Sequence, residues 1–376
     1  MRSGQAPWRG PGPGTWVAAV AAIVVVAGGL VTVARGVRPA ARPTLGAPAP
    51  TAASAVPSTP EAKTTQSAAT ITLAFAGDVH FAERTATRLA ADPDTAFGEA
   101  ATALRASDLT MVNLETAVTE RGSPEPKEFH FRTPATAFTA LRAAGVDVAT
   151  MANNHAADYG AVGLADTLAA IRSTRFPTIG IGADAAQAYA PYYARVRGHL
   201  VALVAASQIR DRTLAAWTAG PTSAGIASAY DDRLVAAVRA ARDRAEIVVV
   251  YVHWGVEGQG CPSGDQRALA GRLAAAGSDA VVGTHAHLLL GAGYLGSTYV
   301  AYGLGNYLWW RNSAYSDDTG VLRLTFAGRR VVGAALAPAR IDGRGVPVPA
   351  TGETAARIER EWASLVGCTG LAARAG

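Results

Sequence analysis

Short apolar runs alternate with amphipathic segments from residue 71 onward, and several of the apolar runs are followed directly by Gly, Asp, Asn or His. Short apolar runs are typical of buried strands, whereas apolar positions three or four residues apart are typical of helices. The predicted strands cover residues 71–76, 109–113, 146–151, 178–181, 200–206, 246–252, 280–282, 299–304, 321–326 and 331–338. The predicted helices cover residues 96–106, 134–144, 164–172, 231–244, 266–276 and 353–365. Strands separated by helices indicate an α/β body built from packed sheets.

The N-terminal segment has a different pattern. Arg2 and Arg9 precede an uncharged run from Gly10 to Ala34, and the apolar centre of this run spans residues 16–33. That length suits a bilayer-spanning helix and is long for the apolar region of a cleaved signal peptide. We therefore predict a signal-anchor, that is an N-terminal transmembrane helix, within residues 1–36, with a cleaved signal peptide as the alternative. The expected product is a single-pass protein of the cell membrane whose body is extracellular.

Residues 37–69 are rich in Pro, Ala, Thr and Ser, a composition that cannot bury an apolar core. We predict a disordered spacer there, because the prolines make such a segment semi-extended. A globular domain is then predicted at 70–345, followed by a C-terminal helix and tail at 346–376. One domain of about 275 residues is plausible for an α/β fold.

The chain has 376 residues, 49% of them hydrophobic, and a formal net charge of +5. Arginine carries nearly all of the positive charge, since Lys63 and Lys127 are the only lysines, and the arginines are scattered along the chain. Because no basic block is interleaved with aromatic residues, nucleic acid is a poor candidate partner. Cys261 and Cys368 could pair in an oxidising compartment or remain free thiols, and the sequence leaves both options open.

Polar residues suited to metal binding or catalysis follow five of the predicted strands. The groups are Asp78 with His80, Asn113 with Glu115, Asn153 with Asn154 and His155, His253 alone, and His285 with His287. Ligands of open α/β sheets bind at the carboxyl ends of strands, so we expect these groups to meet at one edge. In the segment 283–287, Gly-Thr-His-Ala-His, both histidines would lean to the same side if the strand stayed extended.

Imidazole and carboxylate side chains together suit divalent transition metals. A carboxylate able to bridge two ions about 3.5–4 Å apart, with histidines around it, is what a two-metal hydrolytic centre needs. Bound metal lowers the pKa of water, so that hydroxide is available near neutral pH. Any one group has a structural explanation, such as Asp78 capping a turn or His253 being a buried, hydrogen-bonded histidine. Five groups in this order favour a metal site.

Seven motifs resemble those of the capsule-synthesis CapA family, which is associated with poly-γ-glutamate biosynthesis and has the calcineurin-like metallophosphoesterase fold. The motifs are Phe75-Ala76-Gly77-Asp78, Asn113-Leu114-Glu115-Thr116, Ala152-Asn153-Asn154-His155, Asp158-Tyr159-Gly160, His253-Trp254-Gly255-Val256-Glu257, Gly283-Thr284-His285-Ala286-His287 and Tyr302-Gly303-Leu304-Gly305-Asn306-Tyr307. The motifs follow the family's order, and the resemblance covers roughly residues 71–340. The resemblance implies an α/β fold of the metallophosphatase type, a four-layer α/β/β/α sandwich.

The resemblance also implies two divalent metal ions, of the Mn, Fe or Zn class, and a role for each matching residue. The implied ligands of the first ion are Asp78, His80 and His287, and those of the second ion are Asn154, His253 and His285. Glu115 would bridge the two ions, where the wider phosphoesterase pattern has an Asp. His155 would be the catalytic acid that protonates the leaving group, and Asn306 would line the substrate pocket.

Four further residues are candidates beside the metal set. Asn113 and Asn153, from the same strand-end groups, are candidates for substrate binding. Arg132 could also approach substrate, although a strand that points this side chain outward is the alternative. Glu257 could accept the second N–H of His253, as carboxylates commonly do for metal-bound histidines.

These features predict a membrane-anchored hydrolase in which a metal-bound hydroxide attacks a phosphoester or an amide-like bond. Its role would be the synthesis, transport or trimming of poly-γ-glutamate or another anionic capsule polymer. Expected partners are that polymer or the membrane subunits of its synthase, and Arg311 is either a contact for the polymer or a stacked surface arginine. The alternatives are a non-catalytic subunit of the same fold that binds polymer or synthase, and a general phosphoesterase that acts on nucleotides or lipids.

Overall fold

A computed structural model describes residues 70–311 and 314–376. The helices are α1 (Glu83–Ala91), α2 (Ala100–Leu104), α3 (Thr136–Ala144), α4 (Gly160–Thr174), α5 (Ala185–Ala188), α6 (Arg212–Trp217), α7 (Asp232–Arg244), α8 (Gly264–Ala276) and α9 (Gly352–Ser364). The strands are β1 (Ile71–Val79), β2 (Leu109–Leu114), β3 (Ala117–Val118), β4 (Arg132–Thr133), β5 (Val148–Thr150), β6 (Thr178–Ile179), β7 (Ile181–Gly182), β8 (Tyr192–Val196), β9 (His199–Ser207), β10 (Gly225–Ile226), β11 (Ile247–Trp254), β12 (Ala280–His285), β13 (Ala292–Leu295), β14 (Thr298–Ala301), β15 (Asn306–Leu308), β16 (Asp318–Ala327), β17 (Arg330–Ile341) and β18 (Pro347–Pro349).

The strands form two large sheets and two small pairs. The order in the eight-stranded sheet is β18-β17-β16-β1-β2-β5-β6, and β15 pairs with the last residues of β1. The order in the six-stranded sheet is β13-β14-β12-β11-β9-β8. Strands β1, β2 and β5 run parallel, as do β9, β11 and β12. The carboxyl ends of the central strands therefore lie together at one edge of each sheet.

Side-chain alternation along the central strands explains the layers. In β1, Phe75 faces the apolar core between the two sheets, whereas Ala74 faces the core shared with the first helices. In β11, Val249 faces the core between the sheets and Val250 faces the core shared with α7 and α8. Because successive side chains point to opposite faces of a strand, each sheet is covered on both sides. The resulting helix–sheet–sheet–helix order agrees with the sandwich expected from the sequence.

Two local predictions differ from the structure because of glycines in the left-handed region. The predicted strand 178–181 divides at Gly180, where φ is +80°, so that β6 joins the large sheet while β7 pairs with β10. The helix predicted at 96–106 is limited to α2, because Gly98 has φ of +52°. A further helix, α1, follows β1, where the sequence pattern predicted none.

A strand pair, a backbone hydrogen-bond pair and a disulfide are among the contacts that attach the C-terminal segment to the body. Strand β18 pairs with β17, and the backbone of Ala372 exchanges hydrogen bonds with that of Tyr294. Cys261 and Cys368 form a disulfide with their Cα atoms 5.8 Å apart, which resolves the choice between a bridge and two thiols. The disulfide fastens the loop after β11 to the turn after α9.

The membrane prediction concerns a part of the chain outside the described residues. The predicted signal-anchor at 1–36 and spacer at 37–69 both lie there. Within residues 70–311 and 314–376, none of the helices is long and apolar enough to cross a membrane.

Candidate metal centre

Strand β1 brings Asp78 to the site through a close backbone contact. A Cβ atom added at Gly77 would lie 1.9 Å from the carbonyl oxygen of Gly305, so only glycine allows this approach. The next residue, Asp78, donates its N–H to the same oxygen at 3.0 Å. The side chain of Asp78 is fully buried, and its Oδ2 atom lies 3.3 Å from Nδ1 of His287. A carboxylate of the first sheet thus contacts a histidine that follows the second sheet.

Glu115 lies between histidines from both sheets. Its Oε2 atom is 3.1 Å from Nε2 of His80, and its Oε1 atom is 3.2 Å from Nε2 of His253. All three side chains are almost completely buried. A carboxylate in this position can reach two ligand groups at once, which is the geometry that a bridging ligand requires.

His253 also contacts Asn154 and His285. Its Nε2 atom lies 2.7 Å from Oδ1 of Asn154 and 3.1 Å from Nδ1 of His285. Three groups expected around the second ion are therefore in direct contact. The other ring nitrogen of His253 lies 3.1 Å from the hydroxyl of Thr284, which sits beside it across the parallel pair β11–β12.

His285 and His287 meet in the site by a route that the sequence did not predict. Strand β12 ends at His285, whose φ is +90°, and His287 has φ of +57°. The condition of an extended backbone over residues 283–287 therefore does not hold at the end of this segment, although the ring centroids of the two histidines lie only 5.8 Å apart. Positive φ is costly for residues with a Cβ atom and is concentrated at functional sites. The turn, rather than strand alternation, brings both rings to the site.

The donor set fits divalent metal ions. Two sets of side chains place their ligand atoms within 4.8 Å of one another, and both contain Glu115: one adds His285 and His287, the other Asp78 and His253. Among the described residues, Nδ1 of His80 is buried without a hydrogen-bond partner. Oε1 of Glu115 and Nδ1 of His287 are buried too, and their neighbours His253 and Asp78, at 3.2 and 3.3 Å, lack the alignment of a hydrogen bond. Buried polar atoms are normally satisfied, so these atoms are available as ligands. Which residue binds which ion stays a prediction.

Burial and neighbouring charges set the ionisation of these ligands. Burial lowers the pKa of His80 and, with His253 and His287 nearby, holds the pKa of His285 well below its usual value. Neutral imidazoles of this kind offer a lone pair to a metal. Burial opposes ionisation of Glu115, but His253 and His80 offset it and hold the pKa of Glu115 well below its usual range. The site therefore presents the neutral imidazoles of His80 and His285 beside the carboxylate of Glu115.

Asn113 and Asn153 form a hydrogen-bonded support behind the ligands, and their role in substrate binding stays a prediction. Asn113 Nδ2 donates to Oδ1 of Asp78 at 2.8 Å, and Asn153 Nδ2 donates to Oδ1 of Asn113 at 2.9 Å. Asn153 Oδ1 accepts from the backbone N–H of His155 at 3.0 Å. Both amides are fully buried and their polar atoms are used. They hold Asp78 and His155 in place.

His155 is held by two residues to which the sequence analysis assigned no role. Its Nδ1 atom lies 2.7 Å from Oδ2 of Asp158, and Oδ1 of Asp158 lies 2.5 Å from Nζ of Lys127. Lys127 also donates to the backbone carbonyl of Asn154. Asp158 belongs to one of the seven motifs, which was the available signal, whereas Lys127 comes from a long loop with no local pattern.

The remaining predicted residues take different positions. Glu257 lies 3.9 Å from His287 Nε2, so its predicted contact with His253 is wrong, and Thr284 takes that place. Arg132 is exposed, and its guanidinium lies 4.8 Å from the ring centroid of Tyr159, in agreement with the outward-pointing alternative.

Asn306 is buried at the same end of β1 as Asp78, its neighbour in the pairing with β15. Its Nδ2 atom donates to Oγ of Ser316 at 3.1 Å, and its Oδ1 atom has no hydrogen-bond partner among the described residues. The predicted pocket-lining role stays a prediction, and the unsatisfied oxygen is compatible with it.

The rings of Phe131 and Trp309 line the histidine side of the site, and no sequence pattern marked either residue as functional. Phe131 packs on His80 and His155 with ring centroids 4.3 and 4.6 Å apart. Trp309 packs on His80 at 4.7 Å and on His287 at 4.6 Å. Both rings are buried, so they limit the access of water to the histidines.

Comparisons with known proteins place these features in a family context. Residues 72–309, more than half of the chain, match the family described as bacterial capsule synthesis protein PGA_cap. The PGA biosynthesis protein CapA of Bacillus subtilis is 29% identical over 271 residues, which cover 70% of each chain. The capsule biosynthesis protein CapA of Bacillus anthracis is 30% identical over 201 residues, which cover 52% of this chain and 48% of the relative.

Among solved structures, Haemophilus influenzae NAD nucleotidase aligns with 82% of this chain and 65% of its own. The sequence identity is 12% and the TM-score is 0.44.

Proposed function

The chain belongs to the PGA_cap family of bacterial capsule synthesis proteins, and from this membership we propose that it is a metal-dependent hydrolase acting on an anionic capsule polymer. Poly-γ-glutamate is the first candidate polymer, because the Bacillus subtilis relative bears the name PGA biosynthesis protein. The polymer, or the membrane subunits of the synthase that produces it, would be the partner.

One observation carries the hydrolase proposal. Glu115 faces His80 with one oxygen and His253 with the other, and it belongs to both sets of side chains whose ligand atoms converge. A subunit that only bound a polymer would have no need of a buried carboxylate shared in this way. The buried and unsatisfied nitrogens of His80 and His287 support the same conclusion.

The residues around the site have separable tasks in this mechanism. When bound, two divalent ions would lower the pKa of a water molecule and stabilise negative charge on the scissile group. Asn113 fixes the carboxylate of Asp78, and Thr284 fixes the ring of His253. Such outer contacts orient ligands and sustain metal affinity.

His155 is the proton donor to the leaving group in this proposal. Oδ2 of Asp158 lies 2.7 Å from Nδ1 of His155, so this carboxylate accepts a hydrogen bond from the Nδ1–H group and fixes the ring. Nε2 of His155 is then left to donate a proton to the leaving group. Lys127 holds Asp158 from the opposite side at 2.5 Å. Phe131 packs against the ring of His155 and restricts its rotation.

Metal content and turnover, measured on the full-length protein, test this function. We expect about two ions per chain and hydrolysis of a γ-linked glutamate oligomer or a chromogenic phosphodiester. His285→Ala should lose metal and turnover, whereas His199→Ala should lose neither, because His199 pairs with Glu246 away from the site. Fewer than about one ion per chain in the wild type would overturn the two-metal proposal. A metal-free protein that binds polymer would instead be an assembly subunit.

We also propose that residues 1–36 anchor the chain in the cell membrane, with the domain outside. The Cys261–Cys368 disulfide supports this location, because such bonds form and persist in oxidising compartments. Protease added to intact cells should remove the domain while cytoplasmic proteins survive. A domain that becomes sensitive only after lysis would contradict the proposal.

A further inference from the structure

A group of aromatic side chains with one arginine lies beside the metal centre. Trp310 is half-buried, with its ring centroid 6.1 Å from that of Phe129 and 5.2 Å from that of Phe131. The guanidinium of Arg311 lies 5.0 Å from the Trp310 centroid and 5.5 Å from that of Phe129. Phe129, Phe131, Trp310 and Arg311 are called the aromatic platform below. Phe129 is 39% exposed and Arg311 is exposed, so a ligand can reach the platform from solvent.

The platform is continuous with the candidate active site. Phe131 belongs to both, because its ring also packs on His80 at 4.3 Å and on His155 at 4.6 Å. Trp309, next to Trp310 in the chain, packs on His287. A chain-like molecule whose reacting bond lay among these histidines would therefore extend over the platform.

The backbone beneath the platform is held by hydrogen bonds. Arg84 donates from Nε to the carbonyl oxygen of Trp309 at 3.0 Å and from Nη2 to that of Arg311 at 2.7 Å. The N–H of Trp309 donates to the carbonyl oxygen of Gly345 at 3.0 Å. A binding surface that is fixed before the ligand arrives loses less conformational entropy on binding.

Arg311 has a charge that the described residues leave uncompensated. Within residues 70–311 and 314–376, its guanidinium takes part in no ion pair, whereas Arg357, for comparison, contacts Asp318 at 2.6 Å. The Cζ atom of Arg311 lies over the rings of Phe129 and Trp310, and its exposed N–H groups are open to a ligand. Paired N–H groups of a guanidinium match the two oxygens of a carboxylate or a phosphate.

The angles between the rings favour a flexible chain over a flat base. The Trp310 plane is inclined by 54° to Phe129 and by 56° to Phe131. These rings form an angled trough and cannot sandwich a nucleobase between parallel faces. Methylene groups, in contrast, pack against aromatic rings at any inclination.

We propose that the aromatic platform binds the substrate chain next to the scissile bond, with Arg311 pairing a free carboxylate and the rings packing methylene groups. This inference rests on the proposed function and specifies its substrate as a carboxylate-bearing acyl chain. A γ-linked glutamate polymer offers a free carboxylate and methylene groups in every repeating unit. Because its peptide bonds use the γ-carboxyl group, the two methylene groups of each glutamate lie in the main chain and the α-carboxylate stays free.

Calorimetric titration of the full-length protein with a γ-linked glutamate oligomer of defined length tests the platform. Arg311→Gln should weaken binding by about tenfold, the effect of losing one charge-assisted hydrogen-bond pair. Trp310→Ala should also weaken it. Arg244→Gln is the matched control, because Arg244 is exposed and stacks on Tyr193, in a strand that contributes no residue to the metal centre, and it should bind as the wild type does. Equal affinities for wild type and Arg311→Gln would overturn the proposal, as would binding of adenosine monophosphate but not of the oligomer.

Metal content and wild-type turnover of a chromogenic phosphodiester separate this proposal from the proposed function. Arg311→Gln should contain as much metal as the wild type, since Arg311 contacts no metal-site histidine. If the wild type contained no metal and lacked turnover while Arg311→Gln still lost affinity for the oligomer, the hydrolase proposal would be overturned and the proposal that the platform binds the oligomer would be supported. If the wild type contained metal and hydrolysed the ester while Arg311→Gln bound the oligomer normally, only the proposal that the platform binds the oligomer would be overturned.

Discussion

Glu115 lies with its Oε2 atom 3.1 Å from Nε2 of His80, and this contact joins the ends of the neighbouring strands β2 and β1. The second oxygen of Glu115 lies 3.2 Å from His253, the last but one residue of β11 in the other sheet. One carboxylate thereby spans the gap between the two sheets. Aspartate is one methylene shorter, so it would not reach both histidines from the same backbone position.

Replacing Glu115 should therefore affect metal binding more than folding. Glu115→Gln keeps the shape but removes the charge, and Glu115→Asp keeps the charge but shortens the reach. We expect both to lower metal affinity by at least about tenfold, as measured by elemental analysis after dialysis. Glu353→Gln, on the exposed start of α9, is the control and should retain the wild-type metal content. Undiminished metal content in Glu115→Gln would contradict the bridging role.

Metal binding should release a proton from His287. Burial lowers the pKa of this histidine, but the carboxylates of Asp78 and Glu115 more than offset it and raise the pKa to about 9. Below that pH the metal-free ring is protonated, and a metal must displace the proton to bind. Affinity should therefore increase as pH rises from 7 towards 9 and level off above it. Calorimetry in two buffers with different ionisation enthalpies measures the released proton, and identical heats in both buffers would contradict the prediction.

Much of the site could be predicted because strand ends converge. The groups at Asp78, Glu115, Asn154 and His253 lie at or just beyond the carboxyl ends of central parallel strands, and parallel strands bring these ends to one edge. The two sheets then place these edges together, so residues far apart in the chain meet. The resemblance to the CapA family, inferred from seven motifs, is confirmed by the family match over residues 72–309.

The features of the site that the sequence did not predict depend on side-chain direction and on the paths of loops. Hydrophobic periodicity describes neither. Asn113 follows the same rule as its neighbours, yet its amide is buried and hydrogen-bonded to Asp78 and Asn153, which the position alone does not indicate. Lys127 reaches Asp158 from a loop whose path no local pattern indicates. His285 has a positive φ, which is uncommon for residues other than glycine, so no sequence pattern indicated this turn.

The contact between Asp158 and His155 should matter for turnover and not for metal content. Asp158→Asn removes the acceptor for the ring N–H, so His155 loses its fixed orientation. By analogy with other histidine–carboxylate pairs, we expect turnover of a chromogenic phosphodiester to fall by about 100-fold or more. Lys127→Met should cause a smaller loss, because Lys127 holds His155 only indirectly, through Asp158 and the backbone carbonyl of Asn154. Full turnover in Asp158→Asn, with normal metal content, would exclude His155 as the acid.

The disulfide should stabilise the fold and the turn that bears His287. Gly258, near Cys261, donates its N–H to the carbonyl oxygen of Ala286 at 3.0 Å, so the bridged loop supports this turn. The double variant Cys261→Ser/Cys368→Ser should lose about 2–5 kcal/mol of unfolding free energy in urea denaturation. Reductant should destabilise the wild type by a similar amount and leave the double variant unchanged. Equal stability of the two proteins without reductant would contradict the prediction.

We expect any side chain at Gly283 to destabilise the fold, because the space around this residue is filled and not because of its φ angle. A Cβ atom at this position would lie 2.0 Å from Nε1 of Trp254 and 2.5 Å from the carbonyl oxygen of Tyr302, between the partners of a buried 2.8 Å hydrogen bond. Overpacking costs about 1–3 kcal/mol and an unsatisfied buried donor about 1–3 kcal/mol more, so Gly283→Ala should be strongly destabilised in urea denaturation. Gly271→Ala is the matched control, because a Cβ atom there meets nothing within 4 Å inside α8. That variant should gain about 0.5–1 kcal/mol from helix propensity, and equal stability of the two alanine variants would contradict the packing argument.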